Sequence, residues 1–219
     1  MNIKEPFLKR PFDIFLSLLG LIISFPLWII IAIAIYLEDK GPIFFSLQLP
    51  GRYDKPFRWL KFRTMKHLKG KRHKMIFLEN DPRVTKVGRI LRATAMDELP
   101  QLINILKGDM SFVGPRPIHR SEGNPKYKDV SEIPGYEIRS QVRPGLTGIA
   151  QVYADKYISP KNKFRYDNLY VKKMSFFLDL KLILLSFWVS LTGKWEKRGG
   201  KIRRKQKWLC KGVIFLGKG

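Results

Sequence analysis

Two adjacent acids, Asp97 and Glu98, stand in the stretch RATAMDELPQLINILKGDMSFVGPRP (92–117) of a chain carrying 42 Lys and Arg against 18 Asp and Glu. A carboxylate pair between Arg92 and the proline-flanked Arg116 has the parts of a phosphoryl-transfer site. Arg63, Arg92, Arg116 and Arg143 can each grip phosphate oxygens through two parallel N–H bonds. Pro115 and Pro117 stiffen the backbone around Arg116 and lower the entropy lost in aiming it. Neighbouring carboxylates on a helix point about 100° apart, so they do not flank one bond as a glycosidase pair does. They suit two jobs at one phosphorus, with one acid attacking or binding metal and the other positioning. A plainer reading competes. Asp97 as N-cap, a helix to about Lys107 and Gly108 as its stop account for every residue of DELPQLINILKG.

What must position these residues is a chain of 219 residues, 45% hydrophobic, with a formal charge of +24. It can bury a real core, and its field attracts phosphates: nucleic acid, anionic lipid or a phosphorylated substrate. The single cysteine, Cys210, excludes an internal disulfide framework and a cysteine-based metal site. His67, His73 and His119 have no ligand spacing.

Residues 12–37, FDIFLSLLGLIISFPLWIIIAIAIYL, form an apolar run long enough for a membrane segment and too long for a signal peptide. Pro26 interrupts it, and both flanks are basic: Lys4, Lys9 and Arg10 before, Lys40, Arg52, Lys55 and Arg58 after. Basic flanks favour the cytoplasmic face, so a segment that dips in and returns competes with one that spans. Asp13 lies within pairing distance of Lys9 and Arg10 on a helix. Beyond it, residues 43–65 read as short strands around a PGRYDKP turn, 66–80 as a mobile loop, and 83–92 as a short basic helix. Residues 164–173 read as helical, and 175–191 as an interfacial or core-facing amphipathic helix, because Asp179 and Lys181 interrupt its apolar run. The tail from 194 is strongly basic and suited to anionic lipid. GVIFLGKG (212–219) mimics a P-loop but has Gly219 where Ser or Thr is required.

The charge invites a nucleic-acid reading. No RNP, zinc-finger or basic-zipper pattern supports it, and the aromatics cluster with aliphatics instead of alternating with Lys and Arg. A non-catalytic basic membrane scaffold explains residues 12–37 and the tail, but not the arginines around an acid pair.

KRPFD, WLKFRTM, NDPRVTKVGRILRATAMDELPQLINILKGDMSFVGPRP and VRPGLTGIAQV together closely resemble the bacterial sugar transferase family, from about Lys9 to Leu191. These are the monotopic polyprenyl-phosphate phosphoglycosyl transferases that prime surface-glycan assembly. The resemblance implies an α-rich α+β fold: a re-entrant N-terminal membrane helix hairpin (1–40), a small cytoplasmic catalytic domain with interfacial amphipathic helices (41–193), and a basic tail (194–219). It implies transfer of a sugar-1-phosphate from a UDP-sugar to undecaprenyl phosphate with Mg²⁺, at the bacterial inner membrane and on its cytoplasmic side. Anionic lipids are further expected partners, nucleic acid is not, and a homo-oligomer is left open. By resemblance, Asp97 is the nucleophile and a metal ligand, Glu98 supports metal and nucleophile, and Arg116 lies near the nucleotide. Lys61, Arg63, Arg92 and Arg143 match basic positions of the family. Asp167 matches a family acid, with a helix salt bridge as its alternative role. The chain departs from the pattern at Phe25-Pro26, where many relatives have Ser-Pro, at QLPG (48–51), which lacks an arginine often found there, and at GIAQVYAD (148–155).

Overall fold

The computed structural model describes residues 3–67, 81–120, 127, 129–154 and 158–191. The basic tail, Cys210, the glycine-rich terminus, Asp155 and nearly all of the loop expected over 66–80 lie outside them.

The apolar run becomes α1, Lys9–Asp39, long and apolar enough to cross a membrane. The break expected at Pro26 is not a break in the helical backbone. A proline forfeits only its own bond to the carbonyl four residues back, and Trp28 Nε1 donates to Ser24 Oγ at 3.0 Å across it. Much of α1 shows apolar side chains outward, among them Ile22, Ile23, Phe25, Ile30 and Leu37.

Both ends of α1 are held by the same domain. At the start, Lys9 Nζ donates to Asp179 Oδ2 at 2.6 Å, Val113 O at 2.8 Å and Tyr170 OH at 3.0 Å. Arg10 donates to the carbonyls of Ile105 and Leu106. Asp13 accepts from Ser111 Oγ and the Phe112 amide. At the other end Glu38 accepts the amides of Lys86 and Val87, and Asp39 pairs with Arg63.

The domain opens with an antiparallel hairpin, β1 (Phe44–Pro50) and β2 (Pro56–Phe62), in which Phe45 faces Lys61 and Leu49 faces Phe57. Phe44 and Phe62 stack at 5.4 Å under the edge of Trp28. Next come α2 (Lys86–Ala93) and α3 (Gln101–Lys107). Alpha-3 ends at Gly108 with φ 92°, the stop that the sequence marks. A small parallel pair, β3 (Ser111–Val113) and β4 (Gly145–Thr147), brackets the four-residue α4 (Tyr136–Arg139). The described chain closes with α5 (Ile149–Tyr153), α6 (Pro160–Lys173) and α7 (Phe176–Leu191).

Four apolar clusters hold these pieces. Ile31 and Ile35 of α1 meet Phe62 and Leu91. Leu49 and Phe57 meet Leu102, Ile105 and Met110. Val113, Val152, Tyr170 and Leu182 join the β3–β4 pair to α5, α6 and α7. Ile118, Ile133, Tyr136 and Phe164 seat α4 on α6. Alpha-7 is two-sided, as its interrupted apolar run predicts: Asp179 and Leu182 are buried, while Phe177, Leu184, Phe187 and Trp188 face outward.

Candidate active site

The acid pair lies in a 3-10 turn, Met96–Glu98, between α2 and α3. Two features set the turn. Thr94 ends α2 by bonding back to the Ile90 carbonyl, and Ala95 then reverses the chain at φ 58°, a left-handed conformation that glycine adopts more cheaply. Residues held in such regions cost of order 1 kcal/mol and recur where a side chain must be aimed. The N-cap position of α3 is Pro100, and no side chain caps it. Asp97 therefore does not punctuate α3; its carboxylate serves something else.

That partner is Lys61 on β2. Its Nζ lies 3.0 Å from Asp97 Oδ2 and 2.7 Å from Glu98 Oε1, bridging the two acids. The Trp59 ring, two residues earlier on the same strand face, lies 4.7 Å from this ammonium. Arg116 Nη2 approaches Glu98 Oε1 at 3.6 Å from the exposed side, with 40% of its side chain open to solvent. Asp97 itself is only 7% exposed. Arg92 forms the other wall: its Nε donates to Thr64 Oγ1 at 2.9 Å, and its charge acts on Asp97. Gly88 makes this wall possible, because a Cβ there would come within 2.1 Å of the Thr64 carbonyl and push α2 away.

The two acids are electrostatically unlike. Burial and the neighbouring Glu98 push the Asp97 carboxyl above its ordinary range, against the pull of Lys61. Burial acts on Glu98 too, but Lys61 and Arg116 together outweigh it and hold that carboxyl below its ordinary range. Between the two, Asp97 is the easier to protonate.

Lys61, Arg92, Asp97, Glu98 and Arg116 thus surround one spot. The remaining expected residues lie elsewhere. Arg63, two residues beyond Lys61, turns to Asp39 at the end of α1. Arg143 is buried in a double contact with Glu5, Nη2 to Oε2 at 2.6 Å, and lies 3.5 Å from Asp13. Asp167 is buried against Arg139 at 3.0 Å. Arg139 carries no signal in the sequence: it stands in a four-residue helix, and its partner is 28 positions away.

A divalent cation fits the pair by the chemistry of its donors. Mg²⁺ is commonly held by one or two carboxylates completed by substrate phosphates, and here two carboxylates already converge on one cationic nitrogen. Among the described residues no group of three or more His, Cys, Asp or Glu side chains could hold a metal without such help.

Residues 4–193 match the family model described as bacterial sugar transferase. The chain belongs to the bacterial sugar transferase family. It is similar to the UDP-glucose:undecaprenyl-phosphate glucose-1-phosphate transferase of Klebsiella pneumoniae, 40% identical over 191 residues, which are 85% of this chain and 40% of that protein. Among shorter relatives, the "Uncharacterized sugar transferase EpsL" of Bacillus subtilis is 38% identical over 179 residues, 82% of this chain and 85% of the relative. The exopolysaccharide production protein PSS of Rhizobium leguminosarum bv. phaseoli is 38% identical over 184 residues, 80% of this chain and 91% of that protein. The chain therefore spans about two fifths of the Klebsiella relative and nearly all of the Rhizobium one.

Proposed function

We propose that this sugar transferase moves a sugar-1-phosphate from a UDP-sugar to undecaprenyl phosphate, with Asp97 as nucleophile and UMP as the leaving product. The observation that carries the reading is the buried acid pair bridged by one ammonium and faced by a half-exposed arginine. A non-catalytic scaffold or a nucleic-acid-binding protein has no use for a carboxylate held in that position.

In this reading an Asp97 oxygen attacks the sugar-proximal phosphorus of the donor. The phosphoanhydride bond breaks, its electron pair leaves with UMP, and a phosphosugar remains esterified to Asp97 as an acyl phosphate. Undecaprenyl phosphate then attacks the same phosphorus, the bond to Asp97 breaks, and the carboxylate is restored as the lipid diphosphate-sugar forms. Lys61 orients both acids and neutralises charge between them. Arg116, open to solvent, meets the departing phosphate, and Arg92 supports the phosphoryl oxygens from the other side. Asp97 and Glu98 would hold Mg²⁺, which supplies charge neutralisation at the diphosphate when bound.

The acceptor's chemistry demands a site at the membrane surface, and α1 supports one. Its two ends are bonded to one domain, which supports their lying on one face of a hydrocarbon layer about 30 Å thick. We read α1 as entering and leaving the cytoplasmic side of the inner membrane, with the outward apolar residues of α1 and α7 in lipid. The basic tail would add attraction to anionic headgroups.

The test scores UMP against UDP from a panel of UDP-sugars, with and without undecaprenyl phosphate and EDTA. UMP release that needs metal, with a trace of product before acceptor is added, supports the reading. UDP as the main product would sink it.

A further inference from the structure

Arg116 is carried by a stretch with no regular secondary structure, yet its task demands a fixed direction. A buried cation outside the acid pair holds its main chain. Arg139, 7% exposed, donates from Nη2 to the main-chain carbonyl of Arg116. Its Nε donates to Asp167 Oδ2 at 3.0 Å, and its guanidinium lies 4.5 Å from the Phe164 ring. A guanidinium is a planar fork, so anchoring one edge on a carboxylate and one face on a ring fixes where its remaining N–H points.

The backbone is shaped for this contact. Gly135 enters α4 at φ 96°, and a Cβ there would lie 2.2 Å from Asn168 Nδ2. Only glycine allows α4 to settle against α6 at the residue next to Asp167. Tyr136 and Phe164 then meet at 6.3 Å between centroids, and Arg139, one turn further on, reaches back to Asp167.

We infer that Arg139, anchored by Asp167, is a positioning residue that sets the aim of Arg116 at the acid pair. The connection runs from α6 through Arg139 to the Arg116 carbonyl, and from the Arg116 guanidinium to Glu98 at 3.6 Å. It gives Asp167 a role that is neither substrate binding nor a simple helix salt bridge. A pair serving only α4–α6 packing would leave the Arg116 carbonyl alone.

This inference rests on the proposed transfer reaction for its kinetic readout, so the experiment has two arms. The first is hydrogen–deuterium exchange of the full chain in lipid nanodiscs, which needs no activity. In Arg139→Lys, which keeps the charge and loses the fork, exchange should rise about tenfold in peptides covering 114–118 and stay unchanged in those covering 101–107. The second arm measures UMP release for wild type, Arg139→Lys, Arg116→Ala and the double variant. Displacing a group that must meet a transition state costs on the order of ten- to a hundredfold. Arg139→Lys should lose that much in kcat with little change in donor KM, and should cost less than about twofold once Arg116 is already alanine.

Equal losses in both backgrounds, or unchanged exchange at 114–118, would overturn the inference. If Arg139→Lys does not fold, Asp167→Asn takes its place, since it frees the Arg139 fork while nearly preserving shape. A wild-type protein that releases no UMP would sink the reaction reading, and the exchange arm would still decide this inference.

Discussion

Two clusters of acids and bases occupy this molecule, built from the same residue types and put to opposite uses. Beneath the start of α1, Glu5, Lys9, Asp13, Arg143, Tyr170 and Asp179 form a buried set in which every cation has its carboxylate. Between α2 and α3, one lysine is shared by two acids, and the nearest arginine stands 3.6 Å off and half in solvent. The first set is closed, and its geometry serves to tie α1 to β3 and α7. The second is open to solvent on the side of Arg116, which leaves room for a cation and a phosphate. Enclosure, not residue type, separates a latch from a candidate active site.

The sharpest way to break the comparison is to neutralise one acid in each set. Asp97→Asn should reduce turnover roughly thousandfold or more, because an amide is a poor nucleophile, and leave the melting temperature within about 2 °C. Asp179→Asn should do the reverse. It strands the Lys9 ammonium, which is 3% exposed, and breaking a buried pair costs about 3–5 kcal/mol. For a domain of this size that lowers melting by roughly 10 °C, while UMP release per folded molecule holds within about twofold of wild type. Differential scanning fluorimetry in detergent beside a UMP-release assay separates the two. Asp97→Asn retaining more than a few per cent of activity would remove Asp97 as nucleophile.

The next contrast is between the two arginines that the sequence ranks alike. Arg116→Ala should cost on the order of a hundredfold in UMP release, with melting nearly unchanged, since that side chain is 40% exposed. Arg143→Ala strands Glu5 and should appear first as lost stability and as easier proteolysis around Glu5. A purely kinetic defect in Arg143→Ala would place it back in the site.

Those outcomes bear on what the sequence could and could not say. The hairpin over 43–65, the helices at 83–92, 164–173 and 175–191, and the stop at Gly108 were all legible, since each follows from local periodicity and turn chemistry. Arg92 and Arg116 were grouped with the acid pair by their phosphate-binding chemistry, and Lys61 by the family resemblance alone. Arg63, Arg143 and Asp167 looked equivalent to them because one chain shows which residues are charged and not how they pair. Their partners Asp39, Glu5 and Arg139 are respectively 24, 138 and 28 positions away. The helical backbone through Pro26 was illegible for another reason. A lost hydrogen bond disfavours continuity locally, and here α1 is held by the domain at both ends, so tertiary contacts outweigh it.

The smallest expected effect is a shift in pH dependence, and it tests the inequality between the two acids. In the proposed reaction attack requires ionised Asp97, whose carboxyl is held above its ordinary range first by burial and then by Glu98. Activity should therefore fall as pH drops through a value higher than the usual aspartate range near 4. Folding runs the other way. A carboxyl that binds its proton more tightly folded than unfolded gains stability as pH falls between the two values, so protonating Asp97 should cost activity without itself costing stability. In Glu98→Gln the like charge is gone, and the acid limb of the residual activity should move to lower pH. In Lys61→Met the attraction is gone, and the limb should move up. In the buried latch, Asp179→Asn has no route to Asp97 and should leave the limb where it was. Measuring kcat/KM for UMP release from pH 5 to 9 in the three variants checks all three directions. A limb that moves the same way in Glu98→Gln and Lys61→Met would mean that Asp97 is not the group titrating.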